Sequence, residues 1–101
     1  MFVKNRSYTL EGKLHHHAHF AVNPSGVLSV DIEEDHEKLE ADFEDLCFKL
    51  HGKTTDLDCV EHSKPTHCCW HLELSCHDAR ELIRLIDEAK EEYEILMRDL
   101  C

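Results

Sequence analysis

The stretch Asp35-His36-Glu37-Lys38-Leu39-Glu40-Ala41-Asp42-Phe43-Glu44-Asp45-Leu46-Cys47-Phe48-Lys49-Leu50-His51-Gly52 decides how this chain is expected to fold. Leu39, Phe43, Leu46 and Leu50 are spaced by four, three and four, the apolar stripe of an amphipathic helix. Acidic residues crowd its first turns, where the helix dipole favours them. Gly52 follows as a carboxyl-terminal stop. The spacing predicts a helix from about Asp35 to His51.

Outward from this segment the period changes. Upstream, Phe2 to Leu10 reads as a strand closed by Glu11-Gly12, where glycine permits a tight reversal. Lys13 to Val22 alternates, with Leu14, His16, Ala18, Phe20 and Val22 on one face and His15, His17, His19 and Ala21 on the other. Asn23-Pro24-Ser25-Gly26 signals a turn. Val27 to Ile32 then sets Leu28, Val30 and Ile32 against Ser29 and Asp31.

Downstream, Thr54 to Val60 reads as a short strand, and His62-Ser63-Lys64-Pro65 turns the chain. Thr66 to Ser75 alternates again. Cys68, Trp70, Leu72 and Leu74 share one face; His67, Cys69, His71 and Glu73 share the other. Ser75 with Asp78 makes a capping box. From there Ala79, Leu82, Ile83, Ile86, Ala89, Tyr93, Leu96, Met97 and Leu100 form one helical stripe. The predicted order is β-β-β-α-β-β-α in a single α+β domain over residues 1–101. Its layers would be one antiparallel sheet of about five strands and two helices packed on one face.

The bulk composition narrows the function. Hydrophobic residues make up 42% and charged residues 33% of the 101, enough for one modest core but not for a separate cofactor domain. Lys and Arg number 11 against 22 Asp and Glu, a formal net charge of −11. Such a body repels polyphosphate, so direct binding of nucleic acid is disfavoured and a basic protein partner is favoured. No apolar run approaches the ~20 residues that span a bilayer, and Met1 to Ser7 lacks a signal-peptide pattern. The expectation is a cytoplasmic protein with no membrane partner. Its six cysteines then read as free thiols or metal ligands and not as a disulfide framework.

Two surfaces carry candidate function. The first is acidic. Asp31, Glu33, Glu34, Asp35, Glu37, Glu40, Asp42, Glu44 and Asp45 are diluted only by Lys38, whereas the segment before them is slightly basic. Glu33, Glu34, Asp35, Glu37, Glu40, Asp42, Glu44 and Asp45 are expected to steer association with a basic partner, as an inhibitor that imitates nucleic acid would. The same charges also suit a merely solvated helix face. Ten histidines could offset much of the charge on acidification, which would weaken such binding.

The second surface is the polar face of the strands, where His15, His17 and His19 would lie near His67, Cys69 and His71 if the two strands were neighbours. Zinc is the ion those donors suit, so a zinc-binding module is the alternative reading; otherwise no cofactor is expected. No Cys-x-x-Cys spacing sharpens it. A thiol hydrolase built from Cys68 or Cys69, His67 or His71, and Glu73 or Asp58 has the right groups. Nothing in the sequence lowers the thiol pKa, however, so no catalytic residue and no enzyme is expected.

Two further readings concern oligomers and kinship. The long final helix would leave Tyr93, Leu96, Met97 and Leu100 uncovered, which predicts a homodimer or an oligomeric structural protein. Cys47-Phe48-Lys49-Leu50-His51-Gly52-Lys53 resembles the Cys-x-x-x-His-Gly-His segment of the 6-pyruvoyl-tetrahydropterin synthase family, whose histidines bind zinc. The resemblance spans seven residues, Lys53 stands where the family has its last histidine, and no residue role is carried over.

Overall fold

The alternation in the first third builds the first sheet. In the computed structural model, which describes residues 3–11, 15–60 and 68–100 and all their side chains except those of Cys68 and 93–100, β1 (Lys4–Thr9), β2 (His17–Asn23), β3 (Val27–Ile32) and β4 (Glu37–Asp42) pair in sequence order as an antiparallel meander. Register matches apolar residues across the strands: Ala18 with Ile32, Phe20 with Val30, Val22 with Leu28. All six are buried, while His17, His19 and Asp31 face out. Gly26, at φ +114, completes the turn before β3, and the Asn23 carboxamide accepts a hydrogen bond from the Ser25 N–H at 3.0 Å.

The helix expected from Asp35 to His51 does not form. In its place stand a turn at 33–36, the edge strand β4, a single 3-10 turn (Phe43–Asp45) and β5 (Leu46–His51). The misreading has a simple origin. Leu39 to Phe43 is two steps of a period-2 run, and Leu46 to Leu50 is two steps of another. The 3-10 turn sets them three residues apart, and the sum imitates a helical stripe. Burial exposes the difference: Ala41 and Phe43 are buried, but Leu50 is 76% exposed at the end of an edge strand. Val30 and Leu28 on the open side of β3 recruit Leu39 and Ala41 as cross-strand partners, and that pairing outweighs the helix propensity of Glu, Lys and Leu.

The second sheet is β5, β6 (Thr54–Val60) and β7 (Cys68–Ser75), again antiparallel in sequence order. Gly52, at φ +65, opens the two-residue reversal between His51 and Thr54. It is a hairpin turn and not a helix stop. Beyond β7 the Ser75 hydroxyl accepts the Asp78 N–H at 3.1 Å, as the capping pattern requires, and starts α1 (Cys76–Leu100).

The architecture is thus α+β, with two antiparallel sheets of four and three strands and one helix among the described residues, where one five-stranded sheet and two helices were expected. One hydrophobic cluster draws on both sheets and the helix. It takes Phe20 and Val30 from the first, Leu57 and Leu74 from the second, and Ala79, Leu82, Leu85, Ile86 and Ala89 from α1. Full burial of each large side chain contributes about 1.5–3 kcal/mol. The sheets are tied where the Glu11 N–H donates to the Glu73 carbonyl at 2.9 Å, and the first sheet is closed off where, one step beyond the Val27–Asp42 pair, the Phe43 N–H donates to the Gly26 carbonyl at 2.9 Å. The second bond fixes where the acidic segment crosses from one sheet to the other.

Candidate functional site

The acidic residues lie along one border of the first sheet, not on a helix. Glu33, Glu34 and Asp35 occupy the turn before β4; Glu37, Glu40 and Asp42 sit on β4 itself; Glu44 and Asp45 belong to the 3-10 turn. All are exposed except Asp45, which is half-buried. β4 is the outer strand of its sheet, so this carboxylate row accompanies an unpaired strand edge. Such edges are commonly blunted by charge, which is the bland account of the row.

Histidines hold the turn. The His17 N–H donates to both oxygens of Glu34 at 2.8 and 2.9 Å, and its Nδ1 lies 2.9 Å from Glu34 Oε2. That backbone hydrogen bond is the main cause holding the Glu34 carboxyl below the usual range. His16 and His19 approach Asp35 and Glu33 at 3.2 and 3.6 Å. Among the described residues, no lysine or arginine makes an ion pair with any carboxylate of the row.

Two recesses open along the row. One, of about 430 Å³, lies over the outer face of the first sheet; the small register partners Ala21 and Ser29 form its floor, and His19, Asp31, Lys38 and Glu40 its rim. The other, of about 290 Å³, is lined by Glu40, Ala41, Asp42, Asp45, Cys59 and Cys69, where the 4-stranded and 3-stranded sheets meet. Asp45 Oδ1 is buried there and accepts no hydrogen bond. A buried carboxylate oxygen without a donor costs on the order of 1–3 kcal/mol.

The histidine-rich strands are separated. β2 is in the first sheet and β7 in the second, so His17 and His19 do not join Cys69 and His71. His15 precedes β2 in a left-handed conformation, φ +46, and His67 lies outside the described residues. Each group meets carboxylates instead. His17 meets Glu33 and Glu34; His71 meets Asp56 and Glu73, each set with ligand atoms within 4.8 Å of one another. Asp56 has no place in the sequence reading. Its signal was the Asp56–Asp58 alternation, whose register partners are Glu73 and His71. Cys47, Cys69 and Cys76 are free thiols; Cys59 is buried, and Cys76 donates to the Lys53 carbonyl at 3.2 Å.

The side chains of Tyr93, Leu96, Met97 and Leu100 lie outside the described residues, although their backbone continues α1. Among the described residues no helix is long and apolar enough to cross a membrane. The Cys47–Lys53 segment is β5 and its hairpin turn. Comparison with known proteins finds no family model that matches this chain, no similar curated protein and no matching solved structure.

Proposed function

We propose that this protein is a non-enzymatic binding module whose acidic β4 border docks on a basic surface of another protein. The partner's lysine and arginine side chains enter the recess beside Asp45. A surface that otherwise holds nucleic acid is the favoured partner, since it supplies closely spaced cations, and occupying it makes this protein an inhibitor.

The observation that carries the reading is Asp45 Oδ1, buried without a hydrogen bond in a recess that also holds Glu40 and Asp42. Solubility alone calls for exposed carboxylates, not for a buried acceptor beside a cleft. A guanidinium or ammonium group supplies the missing donor and charge together.

A lysine- and arginine-rich peptide, titrated against the protein by fluorescence anisotropy, tests this. Glu40→Lys and Asp45→Asn are expected to weaken binding at least about tenfold, or about 1.4 kcal/mol. Reversal of the exposed α1 carboxylates Asp87 and Glu91 is expected to change it little. Equal losses from both sets would reduce the effect to net charge and overturn the reading.

A further inference from the structure

On the outer face of the second sheet, β6 and β7 bring four titratable side chains together: Asp58 opposite His71, and Asp56 opposite Glu73. The carboxylates of Asp58 and Asp56 are only 17% and 18% exposed. Asp58 Oδ1 is hydrogen-bonded to His71 Nδ1. An ionised carboxylate only accepts, so the proton of that bond sits on Nδ1. This hydrogen bond is the leading cause that raises the His71 pKa, against a smaller opposing effect of burial.

With Nδ1 so engaged, Nε2 faces the other way, toward Asp56 Oδ1 at 3.9 Å and Glu73 Oε1 at 3.8 Å. Asp56 is itself oriented, since its second oxygen, Oδ2, lies 3.4 Å from His51 Nδ1. The oxygen turned toward His71, Oδ1, is buried and accepts no hydrogen bond. Three donor atoms therefore converge, and one of them is desolvated with nothing bonded to it.

We infer that Asp56, His71 and Glu73 form a site for a divalent metal ion, with zinc the best match. One imidazole nitrogen and two carboxylate oxygens are a normal zinc donor set, with bonds of about 2.0–2.2 Å and a fourth position left for water. Tetrahedral bonds of that length place donors roughly 3.4 Å apart, so each carboxylate oxygen closes on Nε2 by about half an ångström, and the two carboxylates, with ligand atoms within 4.8 Å, draw together around the ion. Asp58 is the positioning residue: a carboxylate on the far imidazole nitrogen fixes the tautomer and strengthens the ligating one. The set differs from the one expected from sequence, sharing only His71 with it. The cluster of His17, Glu33 and Glu34 is a poorer candidate, because both Glu34 oxygens already hold the His17 N–H and all three residues are exposed.

The test is zinc titration of untagged, thiol-reduced protein by calorimetry, with long-range proton–nitrogen NMR of the histidine rings on the same sample. One zinc per chain is expected, with the His71 Nε2 resonance shifting strongly while Nδ1 keeps its proton. Asp56→Asn and Glu73→Gln should abolish stoichiometric binding, and Asp58→Asn should weaken it about 10–100-fold. Unchanged ring resonances on adding zinc would overturn the site. So would zinc that binds equally well to wild type and Glu73→Gln, which would place the ion on the cysteines or the other histidines. The NMR readout needs no variant, so a variant that fails to fold leaves the result decisive.

Discussion

The Tyr8 hydroxyl donates a 2.6 Å hydrogen bond to Glu81 Oε1, joining the edge strand β1 to the first turns of α1. Glu81 also meets Arg6 at 3.5 Å, and one strand step further Lys4 donates to Glu88 at 2.8 Å. Lys4, Arg6 and Tyr8 alternate along one face of β1 and engage helix positions one heptad apart. Tyr8 is buried and its ring packs at 5.3 Å from Phe20. Burial and the Glu81 hydrogen bond raise its pKa. Replacing Tyr8 with Phe keeps the ring contact and removes the bond, so a loss of about 1 kcal/mol is expected in urea unfolding. A loss under a few tenths would show that water replaces the hydroxyl without cost.

Two carboxylates of this seam and one at the 33–36 turn set an acid limit on stability. Tyr8 lowers the Glu81 pKa through its hydrogen bond, Lys4 lowers that of Glu88, and the His17 N–H lowers that of Glu34. Each folded carboxyl titrates below its ordinary 4.5. The unfolded chain therefore takes up these protons first as pH falls. The stabilisation is fully present above about 4.5 and is lost as pH drops through the folded values. Unfolding midpoints at pH 6 and pH 5 should be similar, with a clear fall by pH 3. Tyr8→Phe should flatten that fall. An equal fall in the variant would assign it to other carboxylates.

How much of this was legible follows from where each pattern is interrupted. The alternation in 17–23, 27–32 and 68–75 and the stripe from Ala79 to Ala89 are uninterrupted, and their described apolar faces turn inward as read; 54–60 reads only as a strand, without a face. Leu85 is a buried helix position the stripe omitted. Between 35 and 51 the phase of a strand pattern slips by one residue at Phe43–Asp45, and periodicity cannot tell such a slip from a helix. That one error also hid the second sheet. With β5 mistaken for helix, β7 was free to be placed beside β2, which assembled a histidine patch that strand order forbids. Asp56 and Asp58 could be linked to His71 and Glu73 only through the register of β6 with β7, a long-range fact that composition does not carry.

The corrected assignment predicts a contrast between two residues of the same apparent stripe. Leu50 is exposed on an edge strand, so Leu50→Lys should change stability by no more than about 0.5 kcal/mol. Phe43 is buried where the chain crosses between sheets, so Phe43→Ala should cost about 3–5 kcal/mol. A helix with both residues on its core face would give large losses for both. Chemical unfolding of the two variants distinguishes the cases.

Gly52 gives a backbone prediction of its own. At φ +65 it lies in the left-handed region, and an added Cβ would meet nothing within 4 Å. Gly52→Ala therefore acts through conformation and not through a clash, and should cost about 1–2 kcal/mol. Gly52→Asn should recover part of that loss, because asparagine tolerates the conformation. Two variants of equal stability would argue against a left-handed hairpin position.

The acidic border gives a kinetic prediction that separates steering from seating. Glu37, Glu40 and Glu44 are exposed, whereas Asp45 is half-buried beside the recess with one oxygen lacking a hydrogen bond. Exposed charges act mainly on encounter, and buried hydrogen-bonded pairs mainly on dissociation. Reversing Glu37, Glu40 and Glu44 together should slow association with a basic peptide about tenfold and flatten its salt dependence. The wild-type rate should fall steeply between about 0.1 and 1 M salt, where the screening length shortens from about 10 to about 3 Å. Asp45→Asn should leave the association rate within about twofold and speed dissociation instead, because its contact forms only after the side chain is seated. Stopped-flow and surface-immobilisation kinetics on the same variants resolve both rates. If Asp45→Asn altered only association, Asp45 would be one more member of a diffuse field and the recess would have no occupant.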